Sequence, residues 1–139
     1  MSKHNKIGIK GEQIAADFLL NKGYIILHRN WRSGKKEVDI IAFKDNMLAI
    51  VEVKTRSRMD ISFPEESVTR KKQEFLRVAA ADYVSQYPEY INIRFDIISI
   101  FMNNDAIKEI MHFEEAFYWY PLCVAHELSR LRGYYYLQH

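Results

Sequence analysis

The sequence predicts a single α/β domain in which helices flank a mixed five-stranded sheet, in the order α-β-β-β-α-β-β with a short C-terminal helix. The chain has 139 residues, enough for one hydrophobic core, and 48% of them are hydrophobic, which excludes a disordered chain. Two segments have the apolar spacing of amphipathic helices, and five have the composition of strands. We expect one domain over residues 1–139, with a core at about 8–117 and a helical, aromatic tail at 118–139.

The N-terminal half of the chain contains one predicted helix and three predicted strands. Residues 10–22 place apolar side chains at helical spacing and end before a glycine, a common helix stop. Residues 24–31 and 37–43 are rich in β-branched and aromatic residues and flank a short polar turn, which predicts a hairpin. An Asp-Asn turn at 45–46 leads into residues 47–55, whose nearly continuous apolar character predicts a central strand buried on both faces.

The C-terminal half contains the second helix and two further strands. After a polar, proline-containing loop, Ser67 or Thr69 can cap a helix that runs to about residue 85. Residues 91–101 alternate as a fourth strand, and residues 107–113 form a fifth. Beyond these strands apolar residues return to helical spacing, which predicts the short C-terminal helix.

Composition limits the possible classes of function. Apolar runs are shorter than the roughly 18 residues of a membrane-spanning helix, and the N-terminal segment lacks a secretory signal, so we expect a cytoplasmic protein without membrane association. The single Cys123 excludes an intramolecular disulfide and a multi-cysteine zinc site. His28, His112 and His126 lack metal-ligand spacing, so they are expected at the surface or the edge of the core.

Charge is unevenly distributed along the chain. The formal net charge is only +2, yet the first 36 residues hold eight basic and two acidic side chains. A second basic group surrounds the predicted central strand and the start of the second helix. If folding gathers these groups on one face, they form a surface that binds phosphate backbones; an ordinary solvated surface is the alternative.

The chemical signal lies in the predicted central strand, where Glu52 and Lys54 interrupt the apolar sequence. Side chains two residues apart on a strand share a face, and the turn at 45–46 places Asp39 opposite residues 52–54. Two converging carboxylates repel each other unless a cation lies between them or one stays protonated. Oxygen ligands of this kind suit Mg²⁺ or Mn²⁺, and the adjacent ammonium can hold a phosphate. A cross-strand ion pair on a solvated face is the alternative.

Asp39, followed after thirteen residues by Glu52-x-Lys54, resembles the PD-(D/E)XK motif of the restriction-endonuclease-like nucleases. Further segments over residues 8–101 resemble the YraN family of small bacterial nuclease-like proteins, and "FEEAF" extends the likeness to residue 117. The segments are "GEQIAADFLLNKGY", "NWRSGKKEVDIIA", "VEVKTRS", "SVTRKKQEFLRVAAADYV" and "IRFDIISI". The resemblance implies a restriction-endonuclease-like core, metal binding by Asp39 and Glu52, and a catalytic role for Lys54.

The resemblance also implies roles for residues outside the central strand. Archaeal Holliday-junction resolvases with this fold carry a helical glutamate that completes the metal site, which would make Glu12 a catalytic and metal-binding residue; a first-turn acid stabilised by the helix dipole is the alternative. Gln73 matches a polar position that related nucleases use near the site. Lys35-Lys36 replaces the usual Gly-Gly of the family, so the resemblance does not predict the shape of the first hairpin turn. Glu37 is either a second acid near the site or part of a surface salt bridge with nearby lysines.

The expected function is Mg²⁺- or Mn²⁺-dependent hydrolysis of phosphodiester bonds in nucleic acid, DNA rather than RNA, with branched or damaged DNA as candidate substrates. A nucleic-acid-binding module with weak or no catalysis is the alternative. By analogy with resolvases that cut paired strands, a homodimer is a candidate assembly. The candidate phosphate contacts at the rim of the site, or otherwise members of a solvated charged face, are Arg56, Arg58, Lys71, Lys72 and Gln73.

Overall fold

A computed structural model of the chain describes residues 3–57 and 68–119, with side chains from residue 10 onward. The elements follow the predicted order, so the predicted class and sheet are confirmed, whereas the loop before the second helix and the C-terminal helix are predictions that lie outside the described residues. No helix in these described ranges has the length and apolar content needed to cross a membrane. The elements are α1 (Lys3–Asn21), β1 (Ile25–Ser33), β2 (Lys36–Lys44), β3 (Met47–Arg56), α2 (Arg70–Gln86), β4 (Ile93–Asn103) and β5 (Ala106–Phe117).

β3 is the central strand of the sheet, whose spatial order is β1-β2-β3-β4-β5. Neighbouring strands are antiparallel except β3 and β4, which run parallel because α2 connects them as a crossover. The β2-β3 hairpin turns at Asp45 and Asn46, whose φ values of 51° and 61° are the left-handed conformations of a type I′ turn. This turn pairs Lys44 with Met47 and thereby fixes the register of β2 against β3.

The first hairpin turn, whose shape the sequence left open, is equally tight. Ser33 pairs with Lys36 across it, and Gly34 supplies the left-handed position with a φ of 63°. Lys36 therefore begins β2, and its Nζ lies 5.2 Å from the centre of the Phe75 ring on α2. The lysine pair fits the turn because the glycine before it carries the unusual backbone conformation.

Both faces of the sheet are buried, one beneath each helix. β3 contributes Ile50 to the core beneath α2 and Val51 to the core beneath α1, so the predicted burial of this strand on both faces is confirmed. The residues that α2 buries are Leu76, Ala79, Ala80 and Tyr83. Among residues 10–21 of α1, the apolar side chains that are buried in this core are Ala15, Ala16 and Leu19. The site therefore rests on a strand that is held by two separate hydrophobic clusters.

α1 begins at Lys3, and the predicted start at residue 10 was wrong because two glycines weaken the helical signal of this segment. One of them has a packing role. At Gly11 the helix crosses β3 so closely that a Cβ atom would collide with the Thr55 hydroxyl. The glycine therefore sets the distance between α1 and β3, one residue before Glu12.

The other helix and the last strand also differ slightly from their predicted bounds. Thr69 caps α2, because its hydroxyl accepts a 3.1 Å hydrogen bond from the Lys72 backbone N–H. β5 extends to Phe117, beyond the predicted end at residue 113. The extension was not predicted because the ladder is irregular there, and Glu115 adopts a φ of 52°.

A buried polar network joins the C-terminal end of α1 to β4 and β5. Asp96 is fully buried and accepts four hydrogen bonds, two at 2.8 Å from Arg94, one at 2.8 Å from His112 and one at 3.0 Å from the Glu115 N–H. Lys22 Nζ lies 2.7 Å from His112 Nδ1. Because an ammonium can only donate, Nδ1 accepts and Nε2 carries the proton given to Asp96. His112 thus has a structural role that its sequence position did not indicate.

Candidate active site

The candidate site lies where the ladder between β2 and β3 ends. Pairing of these strands runs from the turn to Ile40 and Val51, while β3 continues to pair with β4 as far as Arg56. Beyond the pair Ile40–Val51, a side chain joins the two strands. The Asp39 carboxylate, not a backbone carbonyl, accepts a 2.8 Å hydrogen bond from the Val53 N–H. The opening of the ladder therefore brings the Asp39 side chain against β3, as the register of the turn predicted.

Asp39 meets Glu52 in this opening. The Glu52 side chain is 7% exposed, and its Oε2 atom has no hydrogen-bond partner among the described residues. Burial, followed by the neighbouring Asp39 charge, raises the pKa of Glu52 to about 7. Burial also raises the pKa of Asp39, although the Val53 N–H opposes this rise. Each carboxyl group is among the groups that shift the pKa of the other, so the two side chains interact directly in this opening.

Two lysines supply positive charge to this carboxyl pair. Lys54 follows Glu52 on the same face of β3, and its charge lowers the pKa values of both carboxyl groups. Lys72 extends from α2 and places its Nζ 3.6 Å from Glu52 Oε2. That separation is within the range of an ion pair but too long for a hydrogen bond, so the oxygen remains without a hydrogen-bond partner in the described structure.

Lys72 was expected at the rim of the site, and the structure places it at the carboxylates instead. Helical periodicity carries a signal that could have located it. Lys72 precedes Leu76 by four residues and Ala79 by seven, which puts it on the stripe of α2 that faces the sheet. Charge alone suggested a solvated residue, whereas its position in the stripe indicates contact with the strands.

Glu12 lies on the α1 side of the same opening. Because α1 begins at Lys3, Glu12 is in the third turn of the helix, and the alternative of a first-turn acid stabilised by the helix dipole was wrong. Burial and then the Asp39 charge raise the pKa of Glu12, while a hydrogen bond from the Asn30 side chain opposes the rise. Glu12 is therefore near Asp39, but no three acidic, histidine or cysteine side chains of residues 10–57 and 68–119 form a compact metal-binding group.

The other predicted contacts lie around this centre. Lys71 is exposed in the first turn of α2, and Arg56 ends β3. The Gln73 amide donates a 3.0 Å hydrogen bond to the Val68 carbonyl and accepts one from a guanidinium on α2, so it supports the start of that helix. Arg58 is a predicted contact outside the described residues.

Glu37 forms the surface salt bridge that was one of its two expected roles, although its partner is an arginine. Its Oε1 lies 3.2 Å from Arg32 Nη2, and both side chains are largely exposed. Such a pair contributes little to stability and does not hold Glu37 at the carboxyl pair. The acids that the structure brings together are therefore Asp39 and Glu52, with Glu12 nearby.

A mixed five-stranded sheet in this helix and strand order, with Asp39, Glu52 and Lys54 at the opening beside the central strand, defines a restriction-endonuclease-like α/β domain. The chain belongs to the uncharacterised protein family UPF0102, which matches residues 11–100. The resemblance to the YraN family is thereby confirmed.

Similar bacterial proteins cover most of the chain. The UPF0102 protein of Flavobacterium psychrophilum is 46% identical over 118 residues, which are 85% of this chain and 98% of that protein. The UPF0102 protein of Phocaeicola vulgatus is 42% identical over 118 residues, which are 85% of this chain and 97% of that protein. Among solved structures, Pyrococcus furiosus SfsA in complex with Ca²⁺ covers 80% of this chain and 63% of that chain, with 12% identity and a TM-score of 0.29, too low to support an argument.

Proposed function

We propose that this protein is a divalent-metal-dependent nuclease that hydrolyses phosphodiester bonds in DNA, with branched or damaged DNA as candidate substrates. The observation that carries the proposal is the meeting of the half-buried Asp39 carboxyl group with the buried Glu52 carboxyl group, which has an oxygen without a hydrogen-bond partner in the described structure. A buried carboxylate in that state costs several kcal/mol unless a cation compensates it. Membership of a family with this fold agrees with the proposal.

The donor atoms of the site fit a hard divalent ion. Asp39 and Glu52 offer carboxylate oxygens alone, and Mg²⁺ or Mn²⁺ is commonly held by one or two carboxylates together with water and a substrate phosphate. Asp39 and Glu52 would hold the ion, with Glu12 as a further acid on the α1 side. When bound, such an ion supplies an activated water and polarises a phosphoryl oxygen.

The remaining residues act on the substrate through their charge. The Lys54 ammonium shares a face of β3 with Glu52, so it can bind the scissile phosphate and neutralise the charge that develops on it. Lys71, exposed in the first turn of α2, and Arg56, at the end of β3, can supply positive charge for further phosphates, which a polynucleotide offers and a small phosphate ester does not. Within residues 3–57 and 68–119, no element has the form of a base-reading motif, so we expect structure rather than sequence to select the substrate.

Direct cleavage assays test the proposal. Linear duplex, single-stranded and four-way-junction DNA, with RNA of the same sequence, are incubated with Mg²⁺, Mn²⁺ or EDTA. Metal-dependent cleavage should be lost in Glu52→Gln and retained in Glu109→Gln, whose acid is exposed on β5. Equal cleavage by wild type and Glu52→Gln would indicate a contaminating nuclease and refute the assignment of the site.

A second candidate function is a nucleic-acid-binding module with weak or no turnover. One observation favours it: Glu12 does not complete a compact three-acid group with Asp39 and Glu52 among the described residues. The same experiments separate the two candidates. Tight, salt-dependent binding of DNA without cleavage under any metal would support the module.

A further inference from the structure

Lys72 is the one residue of α2 in ion-pair contact with the carboxyl pair among the described residues. Its Nζ is 3.6 Å from Glu52 Oε2, and its side chain is 34% exposed, so the ammonium lies between the buried acid and solvent. Its position on the buried stripe of α2 fixes the direction of the side chain. Lys71, the preceding residue, carries the same charge at the surface of the same helical turn.

The contact between Lys72 and Glu52 compensates charge but does not satisfy the carboxylate oxygen. At 3.6 Å the ammonium attracts Glu52 without donating a hydrogen bond, and Oε2 has no such bond from any described residue. A divalent cation at this oxygen would provide both charge and coordination. Because like charges repel, a divalent cation at Oε2 weakens the attraction that holds the ammonium there.

A second contact holds Lys72 near the site when it is not paired with Glu52. The same Nζ lies 5.1 Å from the centre of the Phe75 ring, within the range of a cation-π interaction. Lys36 approaches the same ring from the first hairpin, at 5.2 Å. The ring therefore lies within cation-π range of two ammonium groups, of which that of Lys72 also contacts the carboxyl pair.

Resting on the proposed function, we propose that Lys72 is a counter-ion of the metal-free site, displaced from Glu52 by a divalent cation and then used to bind a substrate phosphate. Metal and phosphate binding are coupled as a result. The cation breaks the ion pair between Lys72 and Glu52, and the released ammonium increases affinity for the phosphodiester. By linkage, bound nucleic acid increases affinity for the cation by the same factor.

The first test measures metal affinity by isothermal titration calorimetry with Ca²⁺ and Mn²⁺ at pH 8. Wild type is compared with Lys72→Met, Lys72→Gln and the matched control Lys71→Met. Loss of the competing ammonium should tighten binding of either ion about tenfold in both Lys72 variants. In Lys71→Met the metal affinity should stay within about twofold of wild type, because the exposed Lys71 charge is screened by solvent.

The second test measures the affinity for a short DNA duplex in EDTA and in Ca²⁺, by fluorescence anisotropy. Wild type should gain affinity on addition of Ca²⁺, and both Lys72 variants should lose about tenfold of that gain. Lys71→Met should lower the affinity equally in both buffers, because its charge acts only on the phosphate backbone. The control thus separates a general loss of charge from a loss of coupling.

The outcomes distinguish this inference from the proposed function. If wild type binds the ions and both Lys72 variants bind them with unchanged affinity, the counter-ion role is refuted and the nuclease proposal stands. If neither wild type nor the Lys72 variants bind an ion, the nuclease proposal fails, and the counter-ion role fails with it. If wild type binds the ions and the Lys72 variants bind them more tightly while Lys71→Met does not, the result supports the nuclease proposal and the counter-ion role.

Discussion

Replacement of Glu52 by glutamine should stabilise the fold above neutral pH while it removes the proposed activity. Glutamine has nearly the same shape as a protonated glutamate, so the packing around β3 is kept. Burial and the Asp39 charge raise the pKa of Glu52 from 4.5 to about 7. At a pH above 7, ionisation of this buried carboxyl group therefore lowers the free energy of unfolding by about 3 kcal/mol. The glutamine variant cannot ionise and keeps this stability.

The sign of the pH dependence follows from the number of bound protons. Between pH 4.5 and about 7 the folded state keeps the Glu52 proton while the unfolded chain releases it. The folded state therefore binds more protons in this window, and the stability of wild type falls as the pH rises through it. The groups that face Glu52 and set its pKa are Asp39, Lys72 and Lys54.

Urea unfolding at pH 4, 6 and 8 measures the free energy of unfolding of wild type and variant in EDTA. The difference should be near zero at pH 4 and should grow to about 3 kcal/mol in favour of the variant at pH 8. Glu109→Gln, an exposed change of the same kind, should show no such trend. Addition of Mg²⁺ at pH 8 should stabilise wild type alone. A difference that stays constant across this pH range would refute the account of the site.

Three further predictions concern the fold and Lys54, the lysine of β3. Asp96→Asn should cost about 3 to 5 kcal/mol at pH 7, because it leaves the largely buried Arg94 guanidinium with only a 3.8 Å ion pair to the exposed Glu114. Although burial alone would raise it, hydrogen bonds from His112 and Arg94 lower the pKa of Asp96, so this loss should shrink as the pH falls below about 4 in acid unfolding. Gly11→Ala should cost about 1 to 3 kcal/mol through collision with the Thr55 hydroxyl, and adding Thr55→Ala should recover part of the loss in thermal unfolding. Lys54→Met should lower the rate of DNA cleavage about 10²- to 10³-fold at saturating metal, and equal rates would exclude a role in the reaction.

The order of elements and the approach of Asp39 to Glu52 could be predicted because both depend on local signals. Apolar periodicity identified the helices and strands, and a two-residue turn at Asp45 and Asn46 fixed which residues of β2 and β3 lie opposite each other. A turn of defined length determines register several residues away, since strands pair one residue at a time. The site could therefore be located from two short segments of sequence.

The contacts of Lys72 and His112 could not be predicted in the same way, because they depend on distant elements. Lys72 reaches Glu52 only because α2 lies over the sheet. Its helical spacing from the buried residues of α2 indicates that it faces the strands, but not which residue it meets. His112 meets Asp96 across an irregular ladder between β4 and β5, where a shifted register breaks the alternation of faces. Periodicity identifies which residues are buried, but long-range geometry decides which polar groups meet.

Two buried carboxyl groups of one sheet differ in how far the surrounding residues satisfy them. Asp96 accepts four hydrogen bonds, which outweigh burial and lower its pKa, so its charge stabilises the fold and needs no further ligand. Glu52 is almost as buried, yet burial raises its pKa, and its Oε2 has only a distant ammonium. A chain selected for stability alone could replace Glu52 by an apolar residue and gain free energy, whereas replacing Asp96 would break a satisfied network. The presence of this destabilising acid beside Asp39 supports the proposal that it binds a ligand, and its oxygens and the surrounding lysines favour a cation and a phosphate as that ligand.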